Sequence, residues 1–379
     1  MKVLIIGAGF AGVAAALAAK RAGATVTVVH SRAGASELYA GVVDGALRVV
    51  GDAQRALLPE LARALGLRLE PRTIIASREG VVRGAAGSDR SLLNLAPLAG
   101  KRVGLVDPGR DDWDAPLLAR ALGESAWARA SGTRFEVVPF DLLEKGYQRR
   151  VSPYDFASGF ERAERPAWLA QLLKNKRGPD AWLFGPWLGV RLELASQLST
   201  SVGLPVGEVT SAPGGVAGAR FEMHRDSLLL ALPAEVVVEP VRSVSARKAG
   251  VSIKLDDGRE LLADALVLAS GGFVSGAIEL RGSLSGAEPA GFALAIEGLP
   301  AVEVRGELGH PVSSLFGVDL AARGRVTLER AGLPITSQGA VVGAPRVFAA
   351  GDVTAAETPS VGHALASGLA AGAAAAAAG

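Results

Sequence analysis

The chain has 379 residues, 49% of them hydrophobic and 21% charged, which is enough apolar material for two or three packed units and too little charge for a disordered chain. Forty Lys and Arg against 38 Asp and Glu leave a net charge of +2, and the basic residues are scattered, which argues against a nucleic-acid partner. With no Cys, disulfides, thiolate metal sites, iron–sulfur ligation, a cysteinyl flavin link and thiol catalysis are all excluded.

In chain order, residues 3–6 form a short continuous apolar run, the pattern of a parallel strand buried on both faces. Gly7, Gly9 and Gly12 follow, then a helix predicted over 10–22 and a β-branched strand over 25–30, which completes a strand–helix–strand unit. In such a GxGxxG turn one glycine makes the bend, one lets a pyrophosphate approach the backbone, and one lets helix and strand pack closely. The helix N-terminus then meets the phosphates. The apolar start could be misread as a signal peptide, but the glycine spacing argues for a dinucleotide or flavin site.

The second strand ends at His30, where such units usually carry an acidic residue for the adenosine ribose. A neutral His accepts only one hydrogen bond, so the ribose must be held differently. Arg32 keeps open a rival, a 2′-phosphate as in NADP, and a plain solvated loop residue is the alternative. Residues 31–45 (SRAGASELYAGVVDG) read as a small-residue loop facing the ligand, before a helix at 52–65.

The middle of the chain has its own α/β pattern: strand 101–107, helix 113–122, strand 134–139, and all five tryptophans between residues 113 and 187. A cap domain inserted at 96–218 is the expectation, with 1–95 and 219–379 forming a discontinuous flavin-binding domain. Helix 221–232 leads into strands at 235–238, 241–248, 251–255 and 260–262, with an Asp-Gly hairpin turn at Asp257-Gly258, and then a buried strand at 265–269. Late in the chain, strand 346–350 stops at Gly351-Asp352 and a helix starts near Gly362. In flavoproteins with this N-terminal unit, such an Asp meets the ribityl chain. The next helix points its N-terminus at the isoalloxazine, where its N–H groups stabilise negative charge on a reduced flavin. FAD is therefore the expected cofactor, with FMN kept open because of His30.

The residues expected to hold it fall in three groups. Gly7, Gly9, Phe10, Ala11 and Gly12 cradle the pyrophosphate; His30, Ser31, Gly34, Ala35, Ser36, Leu38 and Gly41 line the following loop; Val241, Ala269, Gly271, Gly351, Asp352, Gly362, His363 and Ala364 return to it from the C-terminal half. For acid–base chemistry the inventory is thin. His363 is the preferred candidate, and Arg220 and His224, at i and i+4 on one helix face, could bind an anionic substrate or form a plain surface pair. His310 before Pro311 shapes a turn.

The segments SRAGASELYAGVVDG, KRVGLVDPGRDDWDAPLLARALG, GLPVGEVTSAPGGVAGARF, LVLASGGFVSGAI and RVFAAGDV, in this order over nearly the whole chain, resemble the B-type subunits of anaerobic glycerol-3-phosphate dehydrogenase. Pro205, Val206, Glu208, Gly218 and Arg220 match the most specific part of that pattern, while Gly214, Gly215 and Asp352 depart from it. The resemblance implies a flavin-carrying subunit working with a catalytic flavoprotein subunit and an iron–sulfur subunit. That complex would oxidise glycerol 3-phosphate to dihydroxyacetone phosphate and send electrons toward quinone; a stand-alone flavin dehydrogenase or oxidase of another small substrate, and a non-catalytic flavin-binding structural subunit, are the alternatives. With no stretch of 18 or more strongly apolar residues, a soluble, cytoplasmic chain is expected; the resemblance adds peripheral contact with the inner membrane through partners, and a small-molecule substrate or electron donor. The fold class expected is α/β: a three-layer Rossmann-like FAD-binding domain of parallel sheet plus β-meander, with an inserted α/β cap.

Overall fold

The computed structural model describes residues 1–31, 34–45, 47–49, 51–143, 145–281, 291–304, 331–355 and 359–378. Arg32 and His310 lie outside the described residues. The chain divides into two compact units, one formed by Met1–Ser36, Gly45–Ala64 and Arg225–Gly379, the other by Glu37–Asp44 and Leu65–His224.

The first unit is built on a five-stranded parallel sheet in the order Glu235–Val238, Thr25–His30, Lys2–Ile6, Ala265–Leu268, Val347–Ala349. Alternation along the central strands separates two buried faces. Leu4, Ile6, Leu266 and Leu268 pack with Val251, Ile253 and Leu255 of an antiparallel meander, Val241–Arg247, Gly250–Leu255 and Glu260–Ala263. On this side the predicted hairpin is present, with Gly258 at φ +89°.

Beside this sheet, helix Phe10–Arg21 packs against the C-terminal helix Val361–Ala377. The two are brought together by small residues. A Cβ on Gly368 would fall onto the Ala11 carbonyl, and one on Gly372 onto the Ala15 carbonyl, so the backbones touch where side chains would hold them apart. The pairing 11 with 368 and 15 with 372 also fixes direction: the helices run parallel, and their N-termini lie at the same end. Helices, parallel sheet and meander give the three layers of a Rossmann-like FAD-binding fold.

The second unit has its own four-stranded sheet, all parallel, in the order Val206–Glu208, Ala181–Phe184, Arg102–Asp107, Arg134–Pro139. Trp182, Phe184, Phe160 and Leu105 belong to its buried core. The helix predicted at 113–122 spans Ala115–Gly123 instead. Trp113 turns inward to donate its Nε1–H to the Val106 carbonyl at 2.9 Å, and Asp114 caps the helix by accepting from Leu117 N at 2.9 Å.

The units divide at 36/37, 44/45, 64/65 and 224/225, where the sequence reading places two boundaries, at 95/96 and 218/219. Short strands account for the difference. Leu67–Arg68 and Val42–Val43 both pair with Gly87–Asp89, and Leu92 bridges to Glu208, which ties this stretch to the second unit. The helix predicted at 221–232 spans Val216–Ala231, and the division at 224/225 falls inside it.

Candidate functional site

In a parallel sheet every strand ends at the same edge, and here that edge gathers most of the expected cofactor residues. Gly7 has φ +106°, and a Cβ on it would fall onto the Ala269 carbonyl; a Cβ on Gly12 would fall onto the Gly7 carbonyl. Those two glycines build the turn. Gly9 differs, because its missing Cβ would sit 2.7 Å from the Ser36 hydroxyl, with no backbone in the way. The same hydroxyl accepts from Phe10 N at 3.2 Å, so Ser36 marks where an acceptor meets the first helical turn. That turn carries no acidic side chain, and Gly9 offers no side-chain cap, which leaves the helix N-terminus suited to a phosphate.

From the neighbouring strand, Ala269 donates its N–H to the Ile6 carbonyl at 2.8 Å, and Gly271 follows at φ +82°. Between them lies Ser270, whose Oγ is buried without a hydrogen-bond partner among the described residues. Sequence reasoning missed Ser270. An orphaned hydroxyl beside a glycine cradle is a place where a bound ligand supplies the partner.

The last strand delivers Gly351 and Asp352. Gly351 has φ +73°, its Cβ position lies 2.9 Å from the Ala11 methyl, and its N–H donates to Ser367 Oγ at 2.9 Å. Thr354, fully buried, donates to the Gly351 carbonyl at 2.9 Å and lies 3.5 Å from His363 Nε2. Ser360 caps the C-terminal helix by accepting from His363 N at 3.1 Å, and no acidic residue stands in that first turn either. The sequence pattern places this helix start near Gly362 but does not single out Ser360, Thr354 or Ser367, although a Ser just before an apolar helix is a recognisable cap. Gly362 and Ala364 flank His363 in this turn.

Burial holds the Asp352 carboxyl above its ordinary range, and His363 nearby pulls it partly back. A raised folded-state pKa means that the folded chain binds the proton more tightly than the unfolded chain. The corresponding stability is present below the ordinary Asp range and is lost as pH rises through the raised value. Asp352→Asn is therefore expected to make the flavin-free chain more stable at neutral pH and to flatten its stability profile above the ordinary Asp range, as urea titrations of both chains would show. An unchanged profile would mean that Asp352 is not desolvated.

His30 ends its strand half-buried beside Val238, and its pKa is lowered by burial and then by Arg225, with Asp226 working the other way. This favours the neutral imidazole, which has one acceptor nitrogen. Ser31 and Gly34 are exposed, Ala35 is half-buried, and Val241 opens the meander. Leu38 and Gly41 belong to the second unit, where Gly41, at φ +100°, packs on Leu92.

The anion-binding pair is corrected by the structure. Arg220 is only 3% exposed and is spent on protein: Nη1 and Nη2 donate to Glu208 at 2.7 and 2.8 Å, and Nε and Nη2 donate to the Gly189 carbonyl at 2.9 and 2.6 Å. Asp89 adds a charge at 3.7 Å. Burial works to lower the Arg220 pKa, but Glu208 and Asp89 raise it further, so it stays charged. Glu208 in turn is raised by burial against the pull of Arg220. His224 shares the helix but packs its ring over Gly66, and burial lowers its pKa, which favours the neutral imidazole. The two residues do share a helix at i and i+4, but the burial that redirects Arg220 has no local sequence signal.

Among the described residues no group of three His, Asp or Glu side chains could hold a metal ion, and no helix is long and apolar enough to cross a membrane.

Residues 2–64 match the family described as FAD binding domain. No curated protein matches the chain. Among solved structures, the Diels–Alderase PyrE3 of pyrroindomycin biosynthesis is 12% identical, with 97% of this chain and 63% of that one covered and a TM-score of 0.33. An oxidoreductase from Agrobacterium tumefaciens is 14% identical, with coverages of 99% and 97% and a TM-score of 0.26. A variant of the halogenase PltM in complex with FAD is 12% identical, with coverages of 71% and 34% and a TM-score of 0.27. The chain thus spans less than two thirds of the length of several proteins that it matches, at 63% and 60% for two of them.

The glycine cradle, two helix N-termini with no acidic residue in their first turns and the buried Ser270 hydroxyl fit FAD, in agreement with the matched domain. What these features and the matched segment define is an FAD-binding domain on a Rossmann-like fold.

Proposed function

We propose that this chain is the FAD-holding, electron-relaying subunit of a glycerol-3-phosphate dehydrogenase-type complex. In this reading a catalytic flavoprotein subunit oxidises the substrate, an iron–sulfur subunit passes electrons toward quinone, and membrane contact is made only through these partners. The resemblance over nearly the whole chain supports the complex. One structural observation supports the relay role: Arg220, which with His224 could have bound an anionic substrate, is consumed by Glu208 and Gly189.

FAD, when bound, supplies two-electron acceptance and release. The protein contributes the rest. With FAD bound, the turn built by Gly7, Gly9 and Gly12 and the helix start at Phe10 would hold the pyrophosphate, Asp352 and Ser270 would take hydroxyls, and the first turn of Val361–Ala377 with His363 would stabilise negative charge on the reduced flavin. His363 donates its backbone N–H to Ser360 at 3.1 Å and its ring lies 3.5 Å from Thr354 Oγ1, so the imidazole is held in place at the start of this helix.

The isolated chain is expected to show negligible glycerol-3-phosphate:dye activity and to gain it with its partner subunits. His363→Ala should lower the flavin reduction potential. Loss of one charge-assisted hydrogen bond, about 1.5–3 kcal/mol, corresponds to roughly 30–60 mV in a two-electron couple. Robust turnover by the lone chain would make it a complete dehydrogenase and end the relay reading. An unchanged potential would reduce His363 to a packing residue.

A further inference from the structure

The sheet of the second unit reverses its winding between Arg102–Asp107 and Ala181–Phe184, because Arg134–Pro139 is laid on one side of the first strand and the later strands on the other. At such a reversal the loops leaving the C-terminal ends of neighbouring strands part, and open parallel α/β sheets bind ligands in the crevice between them. A pocket of about 50 Å³ opens here, lined by Asp112, Trp113 and Asp114 after one strand, Pro186 and Trp187 after the other, and Arg78. None of these residues belongs to the flavin cradle.

Trp187 is firmly fixed in this crevice. Its ring folds back over Gly185 into the space that a Cβ would take, its backbone N–H donates to the Gly185 carbonyl at 2.8 Å, and Trp113 meets it edge-on at 5.0 Å. The residue is 1% exposed, yet its Nε1–H is buried without an acceptor among the described residues. A buried donor left in this condition is costly unless a ligand or water completes it.

The other polar groups decide what kind of ligand completes it. The acceptors are already engaged: both oxygens of Asp112 take Arg110 at 2.8 and 2.9 Å, and Asp114 takes Leu117 N. The donors are less so. Arg78, with its side chain one-third exposed, has an ion pair with Glu79 at 3.6 Å. A buried indole N–H and a guanidinium held by one 3.6 Å ion pair, in a crevice that Trp113, Pro186 and Trp187 also line, call for an acceptor carried on a compact apolar body.

We propose that this crevice is a second ligand site, taking a small carboxylate whose oxygens accept from Trp187 Nε1–H and Arg78 while its carbon skeleton packs on Trp113 and Pro186. The site is independent of the electron-relay reading, since no residue is shared between them.

The test is titration of the flavin-loaded chain with propionate, benzoate, alanine and propionamide at fixed ionic strength, read by tryptophan fluorescence and calorimetry. Saturable carboxylate binding in the millimolar range is expected, weaker by about tenfold or more in Arg78→Gln and in Trp187→Phe, with propionamide also about tenfold weaker than propionate. Alanine binding as tightly as propionate would support the site with amino acids as the source, and weaker alanine binding would support plain carboxylates. Arg78 is partly exposed, so its variant keeps the test valid if Trp187→Phe fails to fold. The proposal is overturned by absence of saturable binding, by binding that Arg78→Gln leaves unchanged, or by a shifted flavin absorbance band, which would place the carboxylate at the cofactor.

Discussion

A Gly9→Val chain is expected to purify folded and almost free of flavin. The three glycines of the N-terminal turn do different work, and their surroundings separate them. A Cβ at Gly7 or Gly12 would strike a backbone carbonyl, so substitution there damages the turn itself. At Gly9 the nearest obstacle is the Ser36 hydroxyl at 2.7 Å, the end of a short side chain that can rotate away. The fold should survive, but the new side chain would stand between the helix N-terminus and a pyrophosphate that needs direct approach to Phe10 N. Losing that contact should weaken flavin binding by at least ~100-fold, or about 3 kcal/mol. The ratio of flavin to protein absorbance after gel filtration, with circular dichroism as the check on folding, reads the outcome. A folded Gly9→Val chain with full flavin content would dismiss the cradle assignment.

The first unit is legible in the sequence because its signals are local. Four consecutive apolar residues, glycines at fixed spacing, a β-branched strand and an Asp-Gly turn each specify a conformation within a few residues, and the observed strand Thr25–His30 has the predicted bounds. The second unit conceals half of its sheet. Ala181–Phe184 is a four-residue strand bounded by Asp180 and Gly185, in a Pro- and Trp-rich stretch whose composition suggests a cap surface. Val206–Glu208 is three residues long and ends in a carboxylate, which argues against burial until its partner across the fold is known.

The helix start at Val216 escapes sequence reasoning for a related reason. Gly214, Gly215 and Gly218 suggest a loop, but Gly218 is needed inside the helix, where a Cβ would fall onto the Glu37 carbonyl. At the candidate flavin site the glycines and Asp352 are readable, because they interrupt strong patterns. Ser270, Thr354 and Ser367 are not, because a buried Ser or Thr acquires its role only from atoms distant in sequence.

Arg220 is the sharpest case of that limit, and it carries the largest expected effect on stability. Arg220→Met keeps much of the side-chain volume but leaves Glu208 buried without its cation, the Gly189 carbonyl without two donors, and Asp89 without its neighbour at 3.7 Å. Removing one partner of a buried, hydrogen-bonded ion pair costs about 3–5 kcal/mol, because the remaining charge cannot regain water. At roughly 2–4 °C per kcal/mol for a domain of this size, the melting temperature should fall by roughly 6–20 °C. Glu208 still accepts from Leu188 N, so Arg220→Met combined with Glu208→Gln should recover part of the loss by removing the stranded charge while retaining an acceptor. Flavin content per folded chain should be unchanged in both variants, since Arg220 is a structural cation and not a ligand. A melting temperature within about a degree of the parent, or a loss of glycerol-3-phosphate response in the assembled complex at full stability, would return Arg220 to the substrate-binding role that its spacing with His224 suggests.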